Sequence, residues 1–426
     1  MAKPASGNEN GVYRKTTLKD GLRVVTEQLP SVRSISIGVW VDVGSRNERP
    51  EDSGLCHFLE HMVFKKTRKR SARQIAASLE SIGGSLNGFT SREQTCFTAR
   101  ILDEHLAEAI DVLADLTCNA SITAADMDKE RLVICEEIKE SLDTPSDHIH
   151  DLFARSFWGE HPLGQPIMGS LENVMNMTRS RMKAFRKRNY RAGSVLVAAS
   201  GAVSHNRLVR LVRQNFTFPE GCHETPEGYW RSRDKAVSVT DNDSKQTHLC
   251  LGFPGFSYGA KEKLSALALS AYLGGGMSSV LFQRIREERG LAYSVYTYND
   301  LYRDSGVFGA YLGTDSERLA QAFEVVLREL KRIKKKRLTT STLAKVKAQI
   351  KGHLTLSLES TSARMSRLAR QELVGSGYRP LKQLLREIDR VSSSDILDAA
   401  NRILDENRMA VAVLGPADEN VFTQVA

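Results

Sequence analysis

A segment rich in Pro, Gly, Glu and Thr, residues 217–230, divides the 426-residue chain into two halves of similar length. Each half combines a few segments of strand-forming composition with several amphipathic helical patterns. This recurrence predicts an α+β protein made of two similar α/β-sandwich domains in tandem. The predicted limits are a disordered tail at 1–12, a first domain at 13–216, a linker at 217–235 and a second domain at 236–426.

Composition excludes several other classes of protein. Hydrophobic residues make up 41% and charged residues 26% of the chain, as in ordinary globular proteins. No stretch approaches the ~18 to 20 apolar residues that cross a bilayer. The start of the chain, Met1–Gly11, lacks the pattern of a secretory or organelle signal, and the six cysteines include no CxxC pair. We therefore expect a cytoplasmic protein with reduced thiols and no membrane partner.

The net charge of +9 permits nucleic-acid binding but does not demonstrate it. The two positive runs, Lys65–Arg70 and Lys331–Arg337, are short, and neither is interleaved with aromatic residues on which bases could stack. We interpret both runs as solvated helix ends or loops, and we expect no nucleic-acid partner. The alternative, a basic nucleic-acid-binding protein, predicts salt-dependent affinity for oligonucleotides.

The stretch Leu55–Phe64 is predicted to be a helix that is apolar on most sides, yet it carries the string HFLEH. His57 and His61 are four residues apart and therefore share one helix face, which Glu60 joins. Burying these polar groups requires a compensating partner, and a metal ion is the simplest one. The string is an inverted HExxH zincin motif, and it predicts Zn²⁺ on the two imidazoles with Glu60 as general base. The alternative is a helix with two ordinary histidines.

A third protein ligand is expected from the predicted helix Ala124–Leu142, which contains four candidate carboxylates, Glu130, Glu136, Glu137 and Glu140. Glu130 and Glu137 lie nearly eclipsed, two turns apart, and both flank an apolar stripe. One of them can bind the ion while the other supports the site. The spacing does not choose between Glu136 and Glu137, and the alternative is that all four are surface carboxylates.

With these residues the chain resembles the insulinase/pitrilysin family of inverted-zincin metallopeptidases, particularly its short bacterial members and the β subunit of the mitochondrial processing peptidase. The interval between the second histidine and the third ligand in that family selects Glu137 here. A glutamate two turns earlier supports the metal in the family, and Glu130 matches it. The resemblance implies one Zn²⁺ per subunit, held by His57, His61 and Glu137.

Three further segments carry the resemblance, which covers essentially the whole chain after residue 12. His161–Gly169 (HPLGQPIMG) looks like a family loop, and Asn87–Arg92 resembles the edge strand that receives substrate, so Asn87 is a predicted substrate-binding residue. In the second half, REERGLAYSV contains a pair similar to the family's arginine and tyrosine, Arg286 and Tyr293. Without the resemblance, this pair is interpreted as a solvated helix-end charge and a packed strand aromatic.

The resemblance implies a zinc metalloendopeptidase acting on extended or presequence-like peptides. Glu60 is then the general base and later the proton donor to the leaving amine. Arg286 and Tyr293 stabilise the oxyanion or hold substrate carbonyls. Because one chain contains both sets of residues, an active homodimer is expected, with the Arg/Tyr pair supplied in trans. The alternative is a catalytically idle homologue that acts as a structural or interaction subunit.

Asp147 and Asp151 are the candidates for side-chain selectivity. They are one turn apart on a predicted helix and match two acidic residues with which the processing peptidase resembled here holds an arginine near the scissile bond. They predict a preference for basic residues near the cut. The alternative is that both are ordinary exposed helix aspartates.

Overall fold

The computed structural model describes residues 11–223, 236–417 and 422. Most of the predicted tail, residues 1–10, and the later part of the predicted linker, residues 224–235, lie outside the described residues. The first described strand begins at Val12, inside the range predicted as a tail.

The first of two mixed β-sheets is built from strands of the first half of the chain. Its strands are β1 (Val12–Thr17), β2 (Arg23–Gln28), β3 (Ser34–Val41), β4 (Ser85–Thr90), β5 (Thr95–Leu102) and β6 (Val195–Gly201). The strand order is β1-β2-β6-β3-β5-β4, and all neighbours are antiparallel except β2 and β6. Strand β4 therefore lies at an edge of this sheet.

The second sheet has five strands and belongs to the second half of the chain. These are β7 (Ala236–Thr240), β8 (Thr247–Pro254), β9 (Ala292–Leu301), β10 (Gly306–Thr314) and β11 (Ala410–Leu414). The order is β7-β11-β8-β10-β9, with one parallel pair, β7 and β11. The α+β class with two similar sandwich domains is thus confirmed.

Helices connect and cover the strands. The α-helices are α1 (Leu55–Val63), α2 (Ala72–Glu80), α3 (Leu106–Asn119), α4 (Ala124–Leu142), α5 (Pro145–Trp158), α6 (Leu171–Asn176), α7 (Arg179–Asn189), α8 (His205–Asn215), α9 (Lys263–Gly274), α10 (Ser316–Ile333), α11 (Thr340–Ser357), α12 (Thr361–Leu373), α13 (Leu381–Arg390) and α14 (Ser393–Ile403). A π-helix occupies Phe282–Glu287. Among the described helices, none is both long and apolar enough to cross a membrane.

The chain forms two compact units that are not simply its two halves. Described residues up to 138, together with 166–223 and 355–381, form the first unit, and the remaining described residues form the second. The predicted ranges 13–216 and 236–426 therefore differ from the units in two segments, which contain α5 and α12. The apolar face of α5 and that of α12 can be recognised in the sequence, but such a face does not show which of two similar sheets the helix covers.

Within the first unit, the sheet has an apolar core on each face. On one face, Val39 of β3 belongs to the same core cluster as Phe58 of α1 and Leu113 of α3. On the other face, Trp40 of β3 packs in a cluster with Leu368 of α12. Each fully buried apolar side chain of this size stabilises the fold by ~1.5–3 kcal/mol. The sheet thus provides a rigid support for α1.

The second unit is built in the same way. On one face of its sheet, Leu251 of β8 clusters with Leu269 of α9. On the other face, Ala412 of β11 clusters with Phe153 and Phe157 of α5. The first sheet is therefore covered by α12 from late in the chain, and the second by α5 from early in the chain.

Candidate metal centre

Helix α1 starts at a crowded pair of glycines. Gly54, the N-cap, has a φ of 93°, and a Cβ there would lie 2.4 Å from the carbonyl oxygen of Met168. Gly169 has a φ of +77°, and a Cβ there would lie 2.2 Å from the carbonyl oxygen of Ser53. Only glycine fits at both positions, because both the backbone angle and the space exclude a side chain. The end of the HPLGQPIMG loop therefore helps to set where α1 begins.

Glu48 supplies the helix cap that Gly54 cannot supply. Its carboxylate accepts hydrogen bonds from the backbone N–H groups of Gly54, at 2.8 Å, and Cys56, at 2.5 Å. Helix starts leave such N–H groups without partners inside the helix. Burial raises the pKa of Glu48 to about 8, although the two backbone hydrogen bonds act to lower it. Glu48 thus anchors the first turn of α1, from which His57 projects.

His57 and His61 of α1 meet Glu137 of α4. The Oε2 atom of Glu137 lies 3.7 Å from Nε2 of His57 and 3.5 Å from Nε2 of His61. One ligand atom from each residue can be chosen so that all three lie within 4.8 Å of one another. Ligand atoms bound to a tetrahedral zinc ion at ~2.0–2.1 Å are ~3.3–3.4 Å apart. The three side chains therefore have nearly the spacing of a zinc site. Glu136 is exposed.

Burial keeps both imidazoles neutral at neutral pH. Desolvation lowers the pKa of His57 to about 4, with a further contribution from His61. Desolvation and the charge of Lys65 lower the pKa of His61 to about 4. Each neutral ring keeps a lone pair that can bind a cation. The Nδ1 atom of His57 is buried without a hydrogen-bond partner among the described residues.

Glu60 lies on α1 beside the three candidate ligands and faces strand β4. Its Oε2 atom accepts a hydrogen bond of 2.6 Å from the hydroxyl of Thr90. A Cβ at Gly88 would lie 3.0 Å from its Oε1 atom, so this glycine leaves room for the carboxyl group. Burial raises the pKa of Glu60 to about 7; the Thr90 hydroxyl opposes this shift, and the charge of Glu137 adds to it. Glu60 can therefore exchange a proton near neutral pH.

Glu130 is connected to the candidate metal site by an ion pair with a lysine. Its side chain on α4 is 2% exposed and forms an ion pair with Lys65. Lys65 is the residue whose charge acts on His61, so Glu130 offsets that charge. The interpretation of the run Lys65–Arg70 as solvated is wrong for Lys65 and for Arg70, since Arg70 pairs with Asp115, a residue 1% exposed. Charge runs do not show which carboxylates the fold brings to them.

Asn87 lies on β4, at the edge of the first sheet. Its side chain is exposed, and its Oδ1 atom accepts a hydrogen bond of 2.8 Å from the N–H of Gly88. Among the described strands, β4 pairs only with β5. One edge of its backbone is thus without a neighbouring strand in this part of the structure.

The predicted Arg/Tyr pair comes together within the second unit. Arg286 lies in the π-helix, and its guanidinium donates a 3.1 Å hydrogen bond to the carbonyl oxygen of Tyr293. The guanidinium carbon also lies 4.3 Å from the centre of the Tyr293 ring. Tyr293 is 71% exposed, so it is not the packed strand aromatic of the alternative interpretation. A π-helix is a rare form that is frequent at functional sites.

Asp147 and Asp151 lie one turn apart on α5 in the second unit. Asp147 is exposed, and Asp151 is half-buried. Burial raises the pKa of Tyr296 to about 12, with smaller contributions from Cys250 and the charge of Asp147. Asp147 therefore lies close enough to Tyr296, which is exposed, to act on it electrostatically.

Three residues of the site carry no recognisable sequence motif: Glu48, Thr90 and Lys65. Glu48 contacts the nearby start of α1, whereas Thr90 and Lys65 contact Glu60 and Glu130 from distant parts of the chain. One signal for Glu48 was present, because a helix that starts at glycine has no side-chain cap and requires an acceptor from elsewhere. Thr90 and Lys65 had no comparable signal.

Comparisons with known proteins identify the family of the chain. The family described as insulinase (peptidase family M16) matches residues 23–171, and the peptidase M16 inactive domain matches residues 176–350. An uncharacterized zinc protease of Streptomyces coelicolor is 39% identical over 95% of this chain and 90% of its own length. An uncharacterized zinc protease of Mycobacterium tuberculosis is 40% identical over 95% of this chain and 93% of its own length. One of Bacillus subtilis is 38% identical, over 95% and 99%.

Solved structures share the fold. A protease from Helicobacter pylori superimposes with a TM-score of 0.89 at 24% identity, covering 96% of this chain and all of that one. A peptidase M16 inactive domain from Pseudomonas fluorescens has a TM-score of 0.88 at 18% identity, covering 95% and 98%.

Proposed function

The chain belongs to the insulinase family of peptidases, peptidase family M16, and from that premise we propose that it is a zinc-dependent metalloendopeptidase acting on extended peptides. The observation that carries the proposal is the cluster of His57, His61 and Glu137, whose ligand atoms lie within 4.8 Å of one another. Two neutral nitrogens and one carboxylate oxygen suit zinc, and three protein ligands leave a fourth position for the reaction. The zinc proteases named above support the choice of metal, and we propose one ion per subunit.

When bound, zinc supplies a Lewis acid that polarises the scissile carbonyl and lowers the pKa of water. Glu60 takes the proton from the attacking water and then passes it to the leaving amine. The Thr90 hydroxyl, 2.6 Å from Oε2 of Glu60, orients the carboxylate for both steps. A pKa raised by burial to about 7 suits a group that first accepts and then donates a proton.

The substrate backbone is proposed to add to strand β4. An extended peptide can bind the edge of a sheet through main-chain hydrogen bonds, and β4 is such an edge. The exposed Asn87 lies on this strand, and the Thr90 and Gly88 contacts place Glu60 beside it. Peptides N-methylated at single amides test this binding mode. Methylation at alternate amides near the cut is expected to raise KM about tenfold, because each removes one hydrogen bond. A KM unaffected at every amide contradicts it.

Arg286 and Tyr293 are proposed to stabilise the oxyanion or hold substrate carbonyls from the partner subunit of a homodimer. They belong to the unit that lacks the metal cluster among its described residues. Mixing a Glu60→Gln variant with a Tyr293→Phe variant tests this arrangement. Random pairing makes half of the dimers mixed, each with one complete site, so about a quarter of wild-type activity is expected to return. If both groups act within one chain, mixing restores nothing.

Asp147 and Asp151 are proposed to favour basic residues near the scissile bond. The exposed position of Asp147 and its spacing of one turn from Asp151 allow two carboxylates to hold one guanidinium. Digestion of a peptide library by the wild type and by Asp147→Asn/Asp151→Asn gives the test. Enrichment of Arg or Lys near the cut is expected only for the wild type. A wild-type profile without such enrichment contradicts the proposal.

The alternative of a catalytically idle subunit receives no support from the site, because both histidines, Glu60 and Glu137 are present and close together. The direct experiment measures metal content and peptide cleavage on one preparation. Cleavage is expected to stop when a chelator removes the metal and to return with one equivalent of Zn²⁺ per chain. Cleavage that persists in metal-free protein contradicts the proposed function.

A further inference from the structure

A cavity of about 220 Å³ lies in the first unit, and the three candidate metal ligands are not among the residues that line it. Helix α7 lines it with Lys183, Arg186 and Lys187, and Tyr190 follows directly after that helix. The end of α3 and residues 217–219 complete the lining. The proposed function does not use any of these residues.

Basic side chains of this cavity lack acidic partners. No Asp or Glu is among the described residues that line it. Neither Lys183 nor Lys187 forms an ion pair within the described part of the chain. The guanidinium of Arg186 donates to the carbonyl oxygens of Thr117, at 2.8 Å, and Ala120, at 3.0 Å. These acceptors are neutral, so the charge of Arg186 is not cancelled by a carboxylate.

A fourth cation adds to this field. Burial lowers the pKa of Arg186, and the charge of Arg68 lowers it further, which means that Arg68 is close enough to repel it. The carbonyl end of α3 contributes a partial negative charge of about half a unit, which is smaller than the three full positive charges that line the cavity. The net potential in the cavity is therefore positive.

Tyr190 adds a hydroxyl group to the lining of the cavity. Its side chain is 4% exposed, and its hydroxyl makes no hydrogen bond within the described residues. A ligand oxygen in the cavity would accept a hydrogen bond from this hydroxyl.

A second basic cavity of about 160 Å³, in the other unit, provides a contrast. It is lined by Lys336, Arg337 and Arg332 from the run that ends α10. Glu329 also lines it and lies 3.4 Å from Arg332. A carboxylate of the protein already occupies the place of an anion there. Basic residues around a cavity are therefore not sufficient to indicate an anion-binding site. The first cavity differs from the second because no carboxylate is among the described residues that line it.

We propose that the cavity lined by Lys183, Arg186, Lys187 and Tyr190 binds a small multivalent oxyanion, with inorganic phosphate as its simplest form. The two lysines and Arg186 supply charge, and Tyr190 supplies a hydroxyl donor. The cavity is smaller than the ~300–1,000 Å³ of sites for drug-sized ligands. Its ligand is thus a phosphate-sized anion or a small phosphorylated molecule rather than a nucleotide.

Isothermal titration of the full chain with inorganic phosphate tests the proposal, with chloride at equal ionic strength as the reference. Wild-type protein is expected to bind phosphate and not chloride. Lys183→Ala/Lys187→Ala is expected to weaken binding at least about tenfold, because two charge-assisted contacts are lost. Tyr190→Phe is expected to weaken it about threefold to tenfold through the loss of one hydrogen bond. Lys336→Ala, which removes a lysine from the other cavity, is the matched control and is expected to bind like the wild type.

Two results overturn the proposal. One is wild-type protein that gives no phosphate signal beyond that of chloride. The other is unchanged affinity in the double lysine variant, because phosphate then binds elsewhere, for example at the metal ligands. Both lysines are exposed, and circular dichroism checks that their variants fold. Because the titration does not depend on cleavage, its failure leaves the proposed function intact.

Discussion

The two units of this chain follow the same order of elements but differ in chemistry. In the first unit, β3 leads to α1, then to the hairpin β4–β5 and the helices α3 and α4. In the second, β8 leads to α9, then to the hairpin β9–β10 and the helices α10 and α11. Both sheets are mixed, and both contain one parallel pair of strands.

The corresponding helices carry different side chains. Helix α1 carries His57, Glu60 and His61, whereas the sequence of α9, KLSALALSAYLG, has neither histidine nor carboxylate. Helix α4 contributes Glu130 and Glu137, but the α11 sequence TSTLAKVKAQIKGHLTLS contains no Asp or Glu. Among the described residues, the same scaffold therefore brings a candidate set of metal ligands together in one unit only. The fold alone does not determine this chemistry; particular side chains do.

The second unit offers a different feature at its corresponding place. Between α9 and β9 it has the π-helix, which positions Arg286 against the exposed Tyr293. If the first unit binds the metal and the second supplies Arg286 and Tyr293, substitutions at the site of the first unit should remove the metal. Substitutions at this pair in the second unit should leave the metal bound. The predictions below test that division, beginning with the largest effect.

Glu137→Gln is expected to abolish zinc binding and to lower kcat/KM by at least about a thousandfold, because a Lewis acid contributes several kcal/mol to the reaction. Glu136→Gln, one residue away on an exposed face of α4, is the matched control. Metal analysis and peptide cleavage are measured on both variants. Equal loss of zinc and of cleavage in the two variants would contradict the role of Glu137 as a metal ligand.

Tyr293→Phe is expected to lower kcat about a hundredfold, the usual effect of losing one oxyanion donor, while zinc content stays at one per chain. The same result is expected for Arg286→Ala. The control is Arg284→Ala, because Arg284 lies in the same π-helix but pairs with Glu288. Loss of zinc from the Tyr293 variant would mean that the two units do not divide the work as proposed.

Glu48→Ala is expected to destabilise the first unit by about 1–3 kcal/mol, because two helix-start N–H groups lose their buried acceptor. The affinity for zinc should also fall, since His57 lies in the first turn of α1, which Glu48 caps. Glu48→Gln keeps one acceptor oxygen and should recover part of both losses. The control is Glu51→Ala, an exposed carboxylate. Equal stability of the Glu48 and Glu51 variants in urea unfolding would contradict the capping role.

Stability should also depend on pH through Glu48. Its pKa is raised by burial to about 8, so the folded protein keeps a proton that the unfolded chain releases above its ordinary pKa. The stability linked to this group is therefore present in acid and is lost as pH rises through about 8. Between pH 5 and 8 the wild type should lose stability relative to Glu48→Gln, by at most about 1.4 kcal/mol per pH unit. Parallel pH curves for the two proteins would exclude this effect.

Local sequence patterns predicted many of the elements well. Helix α4 has the predicted bounds Ala124–Leu142, since it has clear helical periodicity. Strand β7 and the short helix α6 were not predicted, because five or six residues give too little periodicity. The exchange of α5 and α12 between the sheets depends on tertiary packing and leaves no local signal.

The candidate site shows the same limit. The spacing of His57, Glu60 and His61 on one helix was readable, because a single element fixes it. Spacing alone left Glu136 and Glu137 equally possible, and only the family resemblance and then the structure separated them. The role of Glu48 was not predicted, because it depends on how the short loop before α1 folds. Neither that loop conformation nor the contacts between distant segments could be read from the sequence.

The central claim is that Glu60 performs proton transfer while His57, His61 and Glu137 hold the metal. Zinc content and peptide cleavage of Glu60→Gln, compared with the wild type, test it most directly. The amide of this variant is close in shape to the carboxylate that it replaces but cannot accept the proton from water. One zinc per chain with cleavage reduced at least about a hundredfold is the expected result. Zinc retained with undiminished cleavage would contradict the account.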